Sequence, residues 1–131
     1  MRDHEGAMVT FAKLAAVSHD RQQLTQRDKF LLLAGAAATQ GKCTDVAARC
    51  RQLVLLNNPQ HMIGSYENFA TALADADYQT FHRQLQRFCS YEQGEHFLEQ
   101  QGLDSGAPET GAMSRGHYAL LLLSRVQTES D

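Results

Sequence analysis

Between residues 5 and 17 apolar side chains return every third or fourth position, so that Ala7, Met8, Phe11, Leu14 and Ala15 share one helical stripe. A polar stretch, 18–23, follows. Thr25 with Asp28 three positions on has the form of a capping box, which predicts a second helix running to Gln40 and stopping at Gly41. Apolar residues at 30–34 and 36–38 surround this helix almost completely, the pattern of a helix buried on several sides. Thr44 or Asp45 is the expected cap of a third helix striped by Val46, Ala47, Cys50, Leu53 and Val54, which ends at Asn57, Asn58 and Pro59. A fourth helix is expected over about 60–74, with Met62, Ile63, Tyr66, Phe69, Ala70 and Leu73 on one side.

The rhythm continues to the end of the chain. After the link 75–77, in which Asp77 is the expected cap, Tyr78, Phe81, Leu85, Phe88 and Cys89 mark the inner face of a fifth helix, and Gln79, Arg83, Gln86 and Arg87 its outer face. A sixth helix, about 92–101, is closed by Gly102. The Gly, Ser and Pro content of 103–116 predicts a flexible loop, and a last helix over about 117–127 carries the leucine run 120–123. No segment alternates with period two under β-branched or aromatic enrichment. The expected fold class is therefore all-α: one domain over 1–131 whose six to seven helices form stacked antiparallel hairpins or an irregular bundle.

Composition narrows the function classes. At 131 residues the chain is long enough to bury a core unaided, and a net charge of -3 gives no electrostatic footprint for nucleic acid or an anionic membrane. The leucine run falls far short of the ~20 apolar residues that span a bilayer. The amino terminus, with Arg2, Asp3, His4 and Glu5, lacks the form of a secretion signal. Three cysteines, an odd number, fit a reducing compartment, and the cytoplasm is the expected location.

Gly35, Ala47 and Pro59 stand twelve residues apart within the second and third helices. Small residues at such points let antiparallel helices approach, and a proline ends the second of them. With Leu31, Ala34 and Val54 at apolar positions, this stretch resembles a tetratricopeptide repeat over about 28–59, although Ala38 and Arg51 stand where that family carries a tyrosine and a phenylalanine. Adding the family's thirty-four-residue period reaches Phe69, Phe81 and Gln93, so beyond residue 59 only helix placement follows the pattern.

The resemblance implies a concave surface that holds an extended peptide. The positions assigned to it are Lys29, Leu32, Ala36 and Thr39, then Ile63, Tyr66, Ala70 and Leu73, and most of them are apolar. Monomeric proteins rarely leave so apolar a groove open. The expected occupants are the chain's own last helix, a partner's amphipathic helix, or a second copy exchanging that helix to form a homodimer. Arg83 and Arg87, one turn apart, are a further candidate surface for an acidic protein partner.

Candidate chemistry is sparse. Glu92, Glu95, His96 and Glu99 share one face of the sixth helix at the spacing of a carboxylate and imidazole metal site, but no Glu-x-x-His pair on the third to fifth helices completes a di-iron set. A solvated charged face is the simpler expectation. His82 lies among Tyr78, Phe81 and Leu85 and reads as a core histidine rather than a base. Cys50 and Cys89 read as core residues and Cys43 as a more exposed one; there is no C-x-x-C and no glycine-rich phosphate loop. The expectation is a non-catalytic protein-interaction module without a cofactor, and the alternative is a small metal-binding protein or enzyme using the Glu92, Glu95, His96 and Glu99 face.

Overall fold

Asp3 opens the first helix. Its carboxylate accepts a hydrogen bond from the Gly6 amide at 2.8 Å, and α1 (His4–Asp20) follows in a computed structural model that describes residues 3–102 and 114–126. α2 (Leu24–Gln40) and α3 (Thr44–Asn57) come next, each after a three-residue turn. The two turns share one design. Gln22 and Lys42 adopt left-handed backbone angles, φ 59° and 64°, and the two amides closing each turn reach back to the carbonyls of His19 and Ser18, or of Thr39 and Ala38. Each turn satisfies helix-end carbonyls and folds the chain back, so α2 packs against both α1 and α3. Gly41 precedes the left-handed position rather than occupying it.

Neither α2 nor α3 uses the expected side-chain cap. Gln23 and Cys43 precede the two helices and provide no side-chain cap bond. Asp28 turns instead to the buried Arg27, whose Nε donates to its carboxylate at 3.2 Å, while an Arg27 Nη lies 3.1 Å from His19 Nδ1. A buried guanidinium left without partners would cost several kcal/mol, more than the ~1 kcal/mol a cap supplies, so the carboxylate serves the larger need.

The segment expected as one fourth helix is divided. It forms a 3-10 turn, Met62–Ser65, an extended stretch around Tyr66 and Asn68, and a short α4 (Phe69–Leu73). Two side chains capture amides that a continuous helix would bond to its own carbonyls: His61 Nδ1 accepts from Ile63 N at 3.0 Å, and Asn68 Oδ1 from Thr71 N at 2.8 Å. Of the expected stripe Ile63 and Phe69 are buried in the core, joined there by Ala72 from outside it.

α5 (Ala76–Phe88) is capped by Asp75, two residues earlier than the expected Asp77, and the same carboxylate accepts a hydrogen bond from the Tyr66 hydroxyl at 2.8 Å. α6 (Tyr91–Gln100) begins with a full capping box between Ser90 and Gln93, and Gly102 after it takes the left-handed φ of 75°. α7 (Arg115–Ser124) follows the cap Ser114; most of the expected loop, 103–113, lies outside the described residues.

All described elements are helical, with no strand among the described residues. α1 and α2 form the centre. α1 is covered by α2, α6 and α7, and α2 by α1, α3, α4 and α5, which is why α1 buries Val9, Thr10, Ala12 and Ala16 outside its expected stripe. Met8, Leu14, Leu31, Leu53, Tyr78, Leu98 and Leu123 are almost wholly buried in one continuous core. No described helix is long and apolar enough to cross a membrane.

Gly35 has a different task from the expected one. A Cβ there would overlap the edge of the Phe69 ring, so the missing side chain seats α4 on α2 rather than drawing α2 onto α3. Ala47 lines the same groove as that ring.

Candidate functional site

The packing of α4 beside α2 and α3 leaves a groove of about 310 Å3. Ala47, Ala48, Phe69 and Ala70 supply its apolar surfaces, and Thr39, Thr44, Arg51, Glu67 and Asn68 its polar ones. Arg51 fixes the rim: its guanidinium donates to the Tyr66 carbonyl at 3.2 and 2.7 Å, which holds the extended stretch against α3. Glu67 is exposed and makes no ion pair among the described residues.

This groove overlaps the expected concave surface only in Thr39 and Ala70. Leu32, Ala36 and Ile63 are buried in the core and line no open surface, because α1, α3, α4 and α5 close around α2. Tyr66 is half-buried with its ring 5.6 Å from that of Tyr78, and Leu73 is half-buried against the core. α7 does not fill the expected groove. It packs on α1 and α3, where Ala119, Leu122, Leu123 and Val126 are buried and Lys13 lies 5.4 Å from the Tyr118 ring centre. Arg83 and Arg87 are exposed on α5, as expected, and Arg83 donates to Thr80 at 3.2 Å.

A larger cavity of about 470 Å3 opens between α1, α2, α5 and α6. Phe11, Leu33 and Ala37 come from α1 and α2; His82, Gln86, Cys89, Ser90, Tyr91 and Glu92 come from α5, α6 and the link between them, and Asp3 and Gln40 complete the lining. His82 Nδ1 is buried there without a hydrogen-bond partner. Cys89 donates to the Ser90 carbonyl at 3.4 Å, and burial pushes its thiol pKa upward, away from nucleophilic chemistry. Burial pushes the Tyr91 phenol up to about 12, helped by Glu95 and Asp3. Cys50, fully enclosed, is likewise pushed up to about 12 by burial, and Cys43 is raised by burial and then by Glu5 and Asp45.

No protein family, curated protein or solved structure matches this chain. Its site residues rest on geometry alone.

The acidic face of α6 does not assemble as a metal centre. Glu95 faces Tyr91 and helps to raise its phenol pKa, Glu92 lines the cavity, and His96 and Glu99 are exposed; no group of His, Cys, Asp and Glu among the described residues is arranged to hold a metal. His82 and Cys89 are more than core residues, since both line the large cavity. Nothing in their spacing announces this, because the opposite wall comes from α1 and α2, more than forty residues earlier.

Burial lowers the pKa of both His61 and His82 below the ordinary value of about 6.5. The unfolded chain therefore binds protons first, and the contribution of each neutral ring to stability, present above pH ~6.5, is lost as pH falls through the folded value. Asp28 works in the opposite sense and lower down: burial raises its carboxyl above 3.8, so its contribution is present below 3.8 and lost as pH rises through its folded value. Urea midpoints are expected to fall from pH ~7.5 to ~5.5, and His82→Gln to flatten part of that slope. An unchanged slope in the variant would remove His82 from the acid response.

Proposed function

We propose that this chain is a non-catalytic protein-interaction module that holds a short extended peptide in the groove between α2, α3 and α4. The observation that carries the proposal is the groove itself: small apolar side chains at Ala47, Ala48 and Ala70 beside the Phe69 ring, bordered by an extended backbone stretch that Arg51 holds in place. Small side chains leave room for a ligand's backbone to lie close, as in the recognition of extended peptides by preformed surfaces. Glu67, exposed and unpaired among the described residues, favours a basic residue beside the peptide's apolar anchor. The proposal includes a cytoplasmic setting, for which the support is three unpaired cysteines.

The test is selection from a random displayed-peptide library against the full chain. Selected peptides are expected to pair a small apolar side chain with Lys or Arg, and to lose binding at least about tenfold when Ala48→Arg or Ala70→Arg fills the groove. Both positions are exposed, so the fold is retained. Peptides indifferent to both changes but weakened by Arg83→Ala with Arg87→Ala would move the site to α5 and overturn this reading.

A further inference from the structure

We propose that the cavity between α1, α2, α5 and α6 binds a small protonated amine with an apolar body. The site is separate from the peptide groove and stands on different residues. Its volume, about 470 Å3, is within the range of cavities that enclose small molecules. Phe11, Leu33 and Ala37 offer a continuous apolar wall from the two central helices, which are the best-packed elements of the fold and the least able to collapse into the space.

The polar side of the cavity selects the charge of the ligand. No lysine or arginine lines it. Of its two carboxylates, Asp3 is already engaged, accepting from the Gly6 amide at 2.8 Å and from Arg115 at 2.9 Å. Glu92 makes no ion pair among the described residues and is the charge left for a ligand. Arg115 is already paired with Asp3, so an anion entering here would meet Glu92 without a free compensating side chain, whereas an ammonium group would gain a charge-assisted hydrogen bond.

His82 supplies the second polar contact. Its Nδ1 is enclosed by the protein with no hydrogen-bond partner, while the residue itself lines the cavity. Burial lowers the ring's pKa, so the neutral imidazole adds a polar group to the lining without a charge that would repel a cation. The carboxamides of Gln40 and Gln86 complete a lining able to accept hydrogen bonds from a ligand without contributing a positive charge.

The experiment titrates the isotopically labelled full chain near neutral pH with phenethylamine, 2-phenylethanol and 3-phenylpropanoate. These probes share an apolar body and differ in the charge of the head group. The amine is expected to give saturating shifts at the Ser90, Tyr91 and Glu92 amides and the His82 ring, with an affinity at least about fivefold above the alcohol, and the carboxylate to give none. Glu92→Gln, at an exposed position, is expected to bring the amine down to the level of the alcohol, and His82→Phe to abolish both. Ala48→Arg, in the peptide groove, is expected to change nothing here. Equal or tighter binding of the carboxylate, shifts confined to other surfaces, or an amine preference that survives Glu92→Gln overturns the proposal.

Discussion

Gly35→Ala is expected to lower the free energy of unfolding by about 3 kcal/mol, the upper part of the usual cost of overpacking a core. The added methyl group would occupy the edge of the Phe69 ring, which is 1% exposed although it borders the groove. The ring belongs to a five-residue helix held in place by the Asn68 cap and by its seat on α2, so relief requires α4 to move as a unit. Phe69→Leu in the same chain removes the far side of the ring and is expected to recover part of the loss, so the double variant should be less destabilised than the sum of its parts. Urea denaturation of the four chains measures this coupling. A Gly35→Ala chain within about 0.5 kcal/mol of the parent would show that α4 is not fixed against α2.

Ending the chain after Gly102 is expected to abolish cooperative unfolding or to leave an aggregating protein. α7 covers α1 and α3 with the buried side chains of Ala119, Leu122, Leu123 and Val126, and without it the buried outer side of α1 faces water. The milder change Leu123→Ala is expected to cost about 3 kcal/mol, since that side chain is fully enclosed. The ion pairs Arg115 with Asp3 and Arg125 with Asp20 join exposed side chains, and Arg125→Ala is expected to cost less than about 0.5 kcal/mol. Attachment of α7 is therefore apolar in origin, and raised salt should leave it in place. A shortened chain that remains monomeric and unfolds at the parent's urea midpoint would show that α7 adds nothing to the core.

These expectations separate α7 from any gating of a binding groove. An apolar terminal helix invites the idea of a removable cover, and the composition of 120–123 supports it. The helix instead packs on α1 and α3, and none of its residues lines the groove formed with α4. The apolar residues it was expected to shield, Leu32, Ala36 and Ile63, are covered by α1, α3, α4 and α5 without it.

Much of the secondary structure is legible in single-helix terms. The three-and-four spacing of Ala7, Met8, Phe11 and Leu14, and of Val46, Cys50, Leu53 and Val54, locates α1 and α3 because each stripe is a local consequence of helical geometry. Gly102 after α6 and the caps Ser90 and Asn68 show how a few polar residues fix helix ends. The break between residues 62 and 69 was less legible, because the same apolar rhythm is compatible with a continuous helix until His61 and Asn68 take the competing amides. The partner of Gly35 was not legible at all. Glycine at that position marks a close approach, but whether α3 or the Phe69 ring makes it depends on where α4 lands.

By itself the sequence determined an all-helical chain, the placement of its long helices and the apolar character of the faces they bury. Only the tertiary structure decided that α1 and α2 lie at the centre, that α7 sits on α1 and α3, and that His82 and Cys89 face a cavity rather than solid core. The reason is physical: a stripe is set by side chains a few positions apart, whereas a cavity is the space left between helices whose meeting depends on every other packing choice in the chain.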